Sequence, residues 1–294
     1  MYQAKLAGKN RYHLFDADQD RNVRGLNETL QQIRRGLGNG EFVMHFQPKV
    51  NMRSGAVIGA EALIRWRHPT FGEVPPEHFI PLAEENGMIL QIGDWVLETA
   101  CRQMFEWNQI YDSLGPLSVN LAGAQLRQPN LLGRIEQLLK DNGLRPDLLQ
   151  LEITENFIMS QAEEALTVLH QLKHLGVQLA IDDFGTGYSS LSYLKRLPLD
   201  ILKIDQSFVR GLPDDPHDAA IVRAIIALGR SMQFTVIAEG VETQAQQQFL
   251  AAEGCEQIQG YIVSLPLPPE EFATTFLRIT VSDFSDSTAA KPSL

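Results

Sequence analysis

Apolar residues recur at helical spacing at Leu26, Leu30, Ile33 and Leu37, and Gly38 and Gly40 follow as a stop, which predicts a short amphipathic helix leading into the main domain. Two strand-like runs come next, EFVMHFQPKV and VIGAEALIRW, separated by the turn-rich NMRSGA. A link as short as Asn51 to Gly55 cannot carry a parallel crossover, so these strands are expected to pair antiparallel. The pattern then changes to alternation. Apolar strands are predicted at PLSVNL, LLQLEIT, VQLAIDD, DILKID, FTVIAEG and a short QIQGY. Helical patterns separate them at Phe79 to Glu85, Gly93 to Tyr111, Leu131 to Asp141, Ala162 to Leu175, Ala219 to Met232 and Gln244 to Ala252. Leu126 to Leu139 and Ile221 to Leu228 are apolar at helical spacing and read as core-facing.

Short buried strands interleaved with amphipathic helices describe a mostly parallel α/β sheet. With about eight strands in one domain, closure into a (β/α)8 barrel with an antiparallel first strand is more economical than an open sheet. A doubly wound sheet would be expected to carry GxGxxG or GxxxxGK[ST] after its first strand, and neither occurs there. The chain's 294 residues and 44% hydrophobic content suit one such barrel. Beyond Leu277 the sequence turns polar and small and is expected to fray.

Charge and cysteine usage narrow the function. A formal net charge of −11 repels an extended phosphate backbone, so no duplex nucleic acid is expected as a partner, and a phosphate ligand must be drawn in locally by cations. Cys101 and Cys255 stand far apart without CxxC spacing, which fits a reducing cytoplasm and no cysteine zinc site. No window approaches the ~18 apolar residues of a spanning helix and the start lacks a signal-peptide core, so no membrane contact by this segment is expected.

The polar residues fall where they matter: Glu61, Asn120, Glu152, Asp182 with Asp183, Lys203, Glu239 and Gln259 are each expected to end an apolar strand. In a barrel such ends converge on one face. So many carboxylates cannot stay ionised together without compensation, and all-oxygen donors suit hard divalent cations such as Mg²⁺ or Mn²⁺. Asp182 and Asp183 would point to opposite faces of a regular strand, so both reach one centre only if the chain turns, which Gly185 and Gly187 in FGTGYSS permit. Lys203 shares a face with Asp205. An ordinary ion pair between them is one reading, an ammonium acting on water and phosphate is another, and a Schiff-base lysine is disfavoured because surrounding carboxylates raise its pKa. His170 and His174 have i, i+4 spacing but form no HExxH and read as a solvated helix face.

From about Glu41 to Leu277 the chain resembles EAL-domain cyclic di-GMP phosphodiesterases, showing in order FQPKV, EALIRW, VNL, LEITE, DDFGTGYSSL, LKID, AEGVET, GCEQIQGY and SLPLP. The first residues, MYQAKLAGKNRYHLF, look like the end of a GGDEF domain. The organisation implied is a GGDEF remnant over residues 1–15, a linker with the amphipathic helix over 16–40, the EAL domain over 41–278 and a flexible tail over 279–294, with upstream GGDEF or sensory domains and room for a membrane anchor in the full-length protein.

By that resemblance Glu61, Asn120, Glu152, Asp182, Asp183 and Glu239 would hold two Mg²⁺ or Mn²⁺ ions, with Ca²⁺ inhibitory. Glu61, Lys203 and Glu239 would be catalytic. Gln47, Arg65 and Gln259 would bind substrate, while Glu155 and Glu242 would support loops. The activity implied is hydrolysis of cyclic di-GMP to linear pGpG, in a homodimer formed through the helices flanking the Asp182–Tyr188 turn. Ala122 and Phe46 replace the family's common serine and tyrosine without removing a metal ligand. The rival readings are a receptor that binds cyclic di-GMP without cleaving it and a barrel lyase using Lys203.

Overall fold

A computed structural model describes residues 17–111, 115–187 and 191–277. The segments expected to be a GGDEF remnant and a flexible tail, and the end of the Asp182–Tyr188 turn, lie outside these residues. One sheet contains β1 (Phe42–Asn51), β2 (Val57–His68), β3 (Gly72–Val74), β4 (Leu117–Asn120), β5 (Leu149–Thr154), β6 (Gln178–Phe184), β7 (Ile201–Ile204), β8 (Thr235–Ala238) and β9 (Gln257–Ile258). Its order is β1-β9-β8-β7-β6-β5-β4-β2-β3, and a further β1–β2 pairing closes eight of these strands into a barrel. From β2–β4 round to β8–β9 every pairing is parallel, whereas β1 runs antiparallel to both neighbours. The expected barrel with its reversed first strand is therefore the fold. The reversal is local chemistry: Asn51 Oδ1 accepts from the backbone N–H of Arg53 and Ser54, and Gly55 takes φ +69° to bring the chain back.

Helices follow the strands and cover the barrel. Those at Leu131–Asp141, Ala162–Leu175 and Gln244–Ala252 have the bounds that the periodicity predicts. Others begin a turn earlier, as at Pro216–Met232, where the Asp215 carboxylate accepts from the N–H of His217 and Asp218 and Pro216 supplies a fixed φ. Apolar spacing is blind to such a polar first turn. In that helix Val222, Ile225 and Ile226 are buried against the sheet, but Ile221 is 36% exposed, which corrects its assignment to the core.

The main core lies between barrel and helices, where Leu151, Ile181 and Leu202 face outward from β5, β6 and β7. Their neighbours at the alternate positions face into the barrel. There, Ala180, Ile201 and Ile237 form a small separate apolar layer. A helix at Pro269–Phe276, unseen in the sequence pattern, packs Phe272 against Trp107 with ring centroids 5.2 Å apart and against Phe46 at 6.1 Å.

Candidate metal centre and catalytic cup

The same alternation that makes Ile201 and Ala180 face inward aims Lys203 and Asp182 inward one step further up. Glu152, Glu61 and Glu239 meet them from β5, β2 and the residue after β8. Only part of this set ends a strand. Asn120 does, and Glu239 and Gln259 follow directly on β8 and β9, but Glu61, Glu152 and Lys203 lie within their strands and therefore deeper. β2 continues past the rim because it pairs there with β1 and β3.

Lys203 is 0% exposed. Its Nζ lies 2.5 Å from Glu239 Oε1, 3.1 Å from Asp182 Oδ1 and 3.5 Å from Glu61 Oε2, and it donates to Glu152 Oε2. Burial pushes this ammonium down, but Asp182, Glu152, Glu239 and Glu61 together outweigh it and hold it well above the ordinary lysine range. Asp205 is occupied elsewhere: it caps the following helix, its carboxylate accepting from Ser207 N–H at 2.9 Å. The simple Lys203–Asp205 ion pair is thereby replaced by a four-carboxylate cradle.

The carboxyls respond individually. Burial, then Asp182, raises Glu239 well above the usual range against the pull of Lys203. Burial also raises Glu61. Glu152 is pushed up by burial but drawn down further by Lys203 and Lys49, to about 2. Asp183 rises to about 6 through burial and the adjacent charges of Asp182 and Asp205.

The two adjacent aspartates converge by a device finer than the glycine turn foreseen for them. Between β6 and β7 the register passes from Ile181↔Leu202 to Phe184↔Ile204, so an extra residue bulges at Asp182 and Asp183, and Asp183 itself takes φ +54°. A bulge re-aims a side chain, and aspartate tolerates the left-handed region better than most residues. Gly185, at φ +103°, continues the turn. Glu155, 0% exposed, accepts from Gly185 N–H at 2.7 Å and Gly187 N–H at 3.3 Å, and a Cβ on Gly187 would come within 2.8 Å of Asn156 Oδ1.

Carboxylate oxygens of Asp182, Asp183 and Glu239 all lie within 4.8 Å of one another. Asn120 Nδ2 donates to Glu61 Oε1 at 2.7 Å, and Gln259 Nε2 donates to Glu61 Oε2 at 2.6 Å and to Gln47 Oε1 at 3.0 Å. Gln259 Oε1 is buried without a hydrogen-bond partner among the described residues. An orphan oxygen beside an all-oxygen carboxylate cluster fits a hard divalent cation with its water shell.

Cavities open on either side. One of about 350 Å³ is lined by Gln47, Glu61, Glu239, Glu242 and Gln259, and one of about 310 Å³ by Arg65, Asn120, Asp183 and apolar side chains including Ile80 and Ile89; Leu63 and Asp182 border both. Arg65 Nη1 donates to Ile64 O at 2.8 Å, and its Nε lies 3.7 Å from Glu73 Oε1. Glu242 is exposed, and its N–H donates to Gln246 Oε1. His170 and His174 are both exposed on their helix.

The sequence pattern did not single out Lys49, Ser118 and Gln150, all buried within the barrel. Lys49 follows Gln47 by two positions in a strand, and that period-2 signal could have exposed it.

A closed barrel carrying an acidic, lysine-braced cup at the C-terminal ends of its strands defines a barrel protein equipped for a hard-cation centre. The EAL domain matches residues 30–266, and the chain belongs to the EAL domain family. It is 45% identical over 271 residues to the bifunctional diguanylate cyclase/cyclic di-GMP phosphodiesterase MucR of Pseudomonas aeruginosa, covering 92% of this chain and 40% of MucR. It is 41% identical over 270 residues to the cyclic di-GMP phosphodiesterase NbdA of the same organism, covering 91% of this chain and 34% of NbdA. The chain thus spans less than half the length of either relative. Among solved structures, the MucR phosphodiesterase in complex with c-di-GMP superposes with a TM-score of 0.81 at 46% identity, covering 83% of this chain and 99% of that one. The FimX EAL domain from Pseudomonas aeruginosa bound to c-di-GMP gives 0.75 at 29% identity, covering 81% and 96%.

Proposed function

We propose that this chain is a cyclic di-GMP phosphodiesterase that opens one phosphodiester bond to give linear pGpG and so ends a second-messenger signal. The observation that carries the reading is a fully buried ammonium shared by four carboxylates directly beside the Asp182, Asp183 and Glu239 cluster. MucR and NbdA, which bear that activity in their names, support it.

Glu61, Asn120, Glu152, Asp182, Asp183 and Glu239 are the residues that would hold two divalent cations, Mg²⁺ or Mn²⁺. Such ions supply Lewis acidity, acidifying water and offsetting phosphate charge. Counted as ionised, five carboxylates against Lys203 and Lys49 carry a formal excess of three negative charges, which two bound divalent cations would offset to one positive charge. An anionic phosphodiester then enters favourably, although the chain as a whole carries −11.

Lys203 stays protonated because its cradle raises its pKa, so it acts as a fixed donor to developing negative charge and not as a base. Glu61 and Glu239, whose carboxylates both face the Lys203 ammonium, are the candidate catalytic carboxyls. Gln47 and Arg65, one in each flanking cavity, are the candidates for holding guanine and phosphate, with Gln259 bridging Gln47 to Glu61. Glu155 braces the turn that presents Asp183, and Glu242 borders the substrate cavity on the loop after β8.

The substrate class implies action in the cytoplasm. We also read the chain as a self-associating piece of a longer protein with upstream GGDEF or sensory domains. Sedimentation at micromolar concentration tests the association, and a strict monomer with full activity removes dimer control. Incubation of the purified chain with cyclic di-GMP and Mg²⁺ or Mn²⁺, followed by chromatography, should yield pGpG. Tight binding without product under every metal condition would establish the receptor alternative.

A further inference from the structure

Two lysines grip Glu152 from opposite directions. Lys203 donates to Oε2 from the β7 side. Lys49 comes from β1, the strand that runs against the rest of the barrel, and lies 3.4 Å from Oε1 while also donating to Ser118 Oγ. Gln150 Nε2 donates to the same Oε1 at 2.8 Å. Both oxygens of Glu152 are therefore engaged, and the carboxylate cannot rotate without losing a charged partner.

Lys49 is 2% exposed, yet it borders a cavity of about 550 Å³ at the N-terminal end of the parallel strands, opposite the acidic cup. Ile201 and Ile237 border the same cavity. An apolar side chain would fill this position beside them at far lower desolvation cost than an ammonium. Burial holds the Lys49 ammonium below the ordinary lysine range and Glu152 is the chief group opposing that, so its charge depends on the carboxylate above it. A buried cation at the floor of a metal cup has two physical effects: it fixes the geometry of the carboxylate that holds Lys203, and it opposes cation binding above.

Resting on the function proposed above, we infer that Lys49 is a positioning residue for the reaction, setting the Lys203 ammonium through Glu152 while offsetting one negative charge of the cup. The two effects separate in one variant. In Lys49→Met the loosened Glu152–Lys203 pair should lower kcat by about 10- to 100-fold, with KM changed less than about twofold, because small misplacement of a catalytic group is costly. The same variant, with a cup one charge more negative, should bind Mn²⁺ about tenfold more tightly in a calorimetric titration without substrate. Damage to the fold would weaken both, so opposite movement is the signature. Ser118→Ala removes the second partner of Lys49 but keeps its charge, and should lower kcat less while leaving Mn²⁺ affinity unchanged. Parental kcat in a folded Lys49→Met protein, or Mn²⁺ binding that weakens together with kcat, overturns the assignment. Should Lys49→Met not fold, parental kcat in Ser118→Ala overturns it. If the parent chain cleaves no cyclic di-GMP, the proposed function fails by itself, and unchanged Mn²⁺ affinity in Lys49→Met still sinks the role of Lys49.

Discussion

Under the proposed function, Lys203 and Glu61 would do different work as neighbours in one cup. Lys203→Met keeps most of the stem and loses the charge. Its kcat should fall by about 10²–10³, the usual cost of removing one such electrostatic group, while cyclic di-GMP binding measured in Ca²⁺ stays close to parental. Glu61→Gln keeps an oxygen and loses a charge, so it should be partly rescued by high Mn²⁺. A Lys203→Met variant rescued equally well by Mn²⁺ would contradict the roles. Asp183 supports a pH test. Its carboxyl titrates at about 6 in the folded chain against an ordinary value near 3.8, so the metal-free native state binds more protons than the unfolded state between those limits. Stability from this group is thus present at low pH and declines as pH rises through about 6. In a chelator, Asp183→Asn, which still suits a left-handed backbone, should melt higher than the parent at pH 7.5 and equally at pH 4. An advantage independent of pH would show that the penalty on the ionised Asp183 carboxylate, from burial and then from Asp182 and Asp205, is not the cause.

At the scale of elements, the turn after β6 depends on a residue from another strand's loop. Glu155 begins the short helix after β5 and accepts from the N–H of Gly185 and Gly187. Glu155→Ala leaves those amides without their acceptor, at a cost of about 1–3 kcal/mol. The Mn²⁺ concentration for half-maximal activity should rise in Glu155→Ala and much less in Glu155→Gln, which retains an acceptor oxygen. Equal Mn²⁺ requirements in the alanine variant and the parent would remove Glu155 from the support of Asp183. The longer elements were legible because an amphipathic face repeats often enough to be read: Leu131–Asp141 and Ala162–Leu175 appear with their bounds. Gly72–Val74 and Gln206–Arg210 are too short to carry a period, and Pro269–Phe276 spans only about two turns, with Phe272 meeting Phe46 and Trp107 from distant elements. Phe272→Ala should cost about 3–5 kcal/mol in chemical denaturation without altering KM, since it sits away from the cup.

For the whole molecule, the proposed function would make divalent cations both cofactor and stabiliser of the acidic cup. Exhaustive chelation should abolish hydrolysis, and readdition of Mg²⁺ or Mn²⁺ should restore it. Ca²⁺ should bind and inhibit, because its longer bonds of about 2.3–2.6 Å and higher ligand number displace water and phosphate from line. Saturating Mn²⁺ at about 100 times its Kd should add about 2.7 kcal/mol to stability for each site filled, visible as a higher melting temperature that an Asp182→Asn, Asp183→Asn variant lacks. Full activity after chelation would end the two-cation mechanism.

The sequence by itself determined the barrel, its reversed first strand and the carboxylates, lysine and amides that meet in the upper part of the cup, but not Lys49, Ser118 and Gln150 beneath them. Strand alternation, loop length and the family motifs are all local in the chain, and the Asn51 to Gly55 link is too short to do anything but turn back. It did not determine depth or partnership. That Lys203 sits beneath four carboxylates and not beside Asp205, that Asp182 and Asp183 share a bulge, and that Lys49 reaches Glu152 from the floor are consequences of register and closure. Those distances run between strands as far apart in sequence as residues 61 and 203, and burial, which sets each charge's free energy, exists only once the barrel has closed around them.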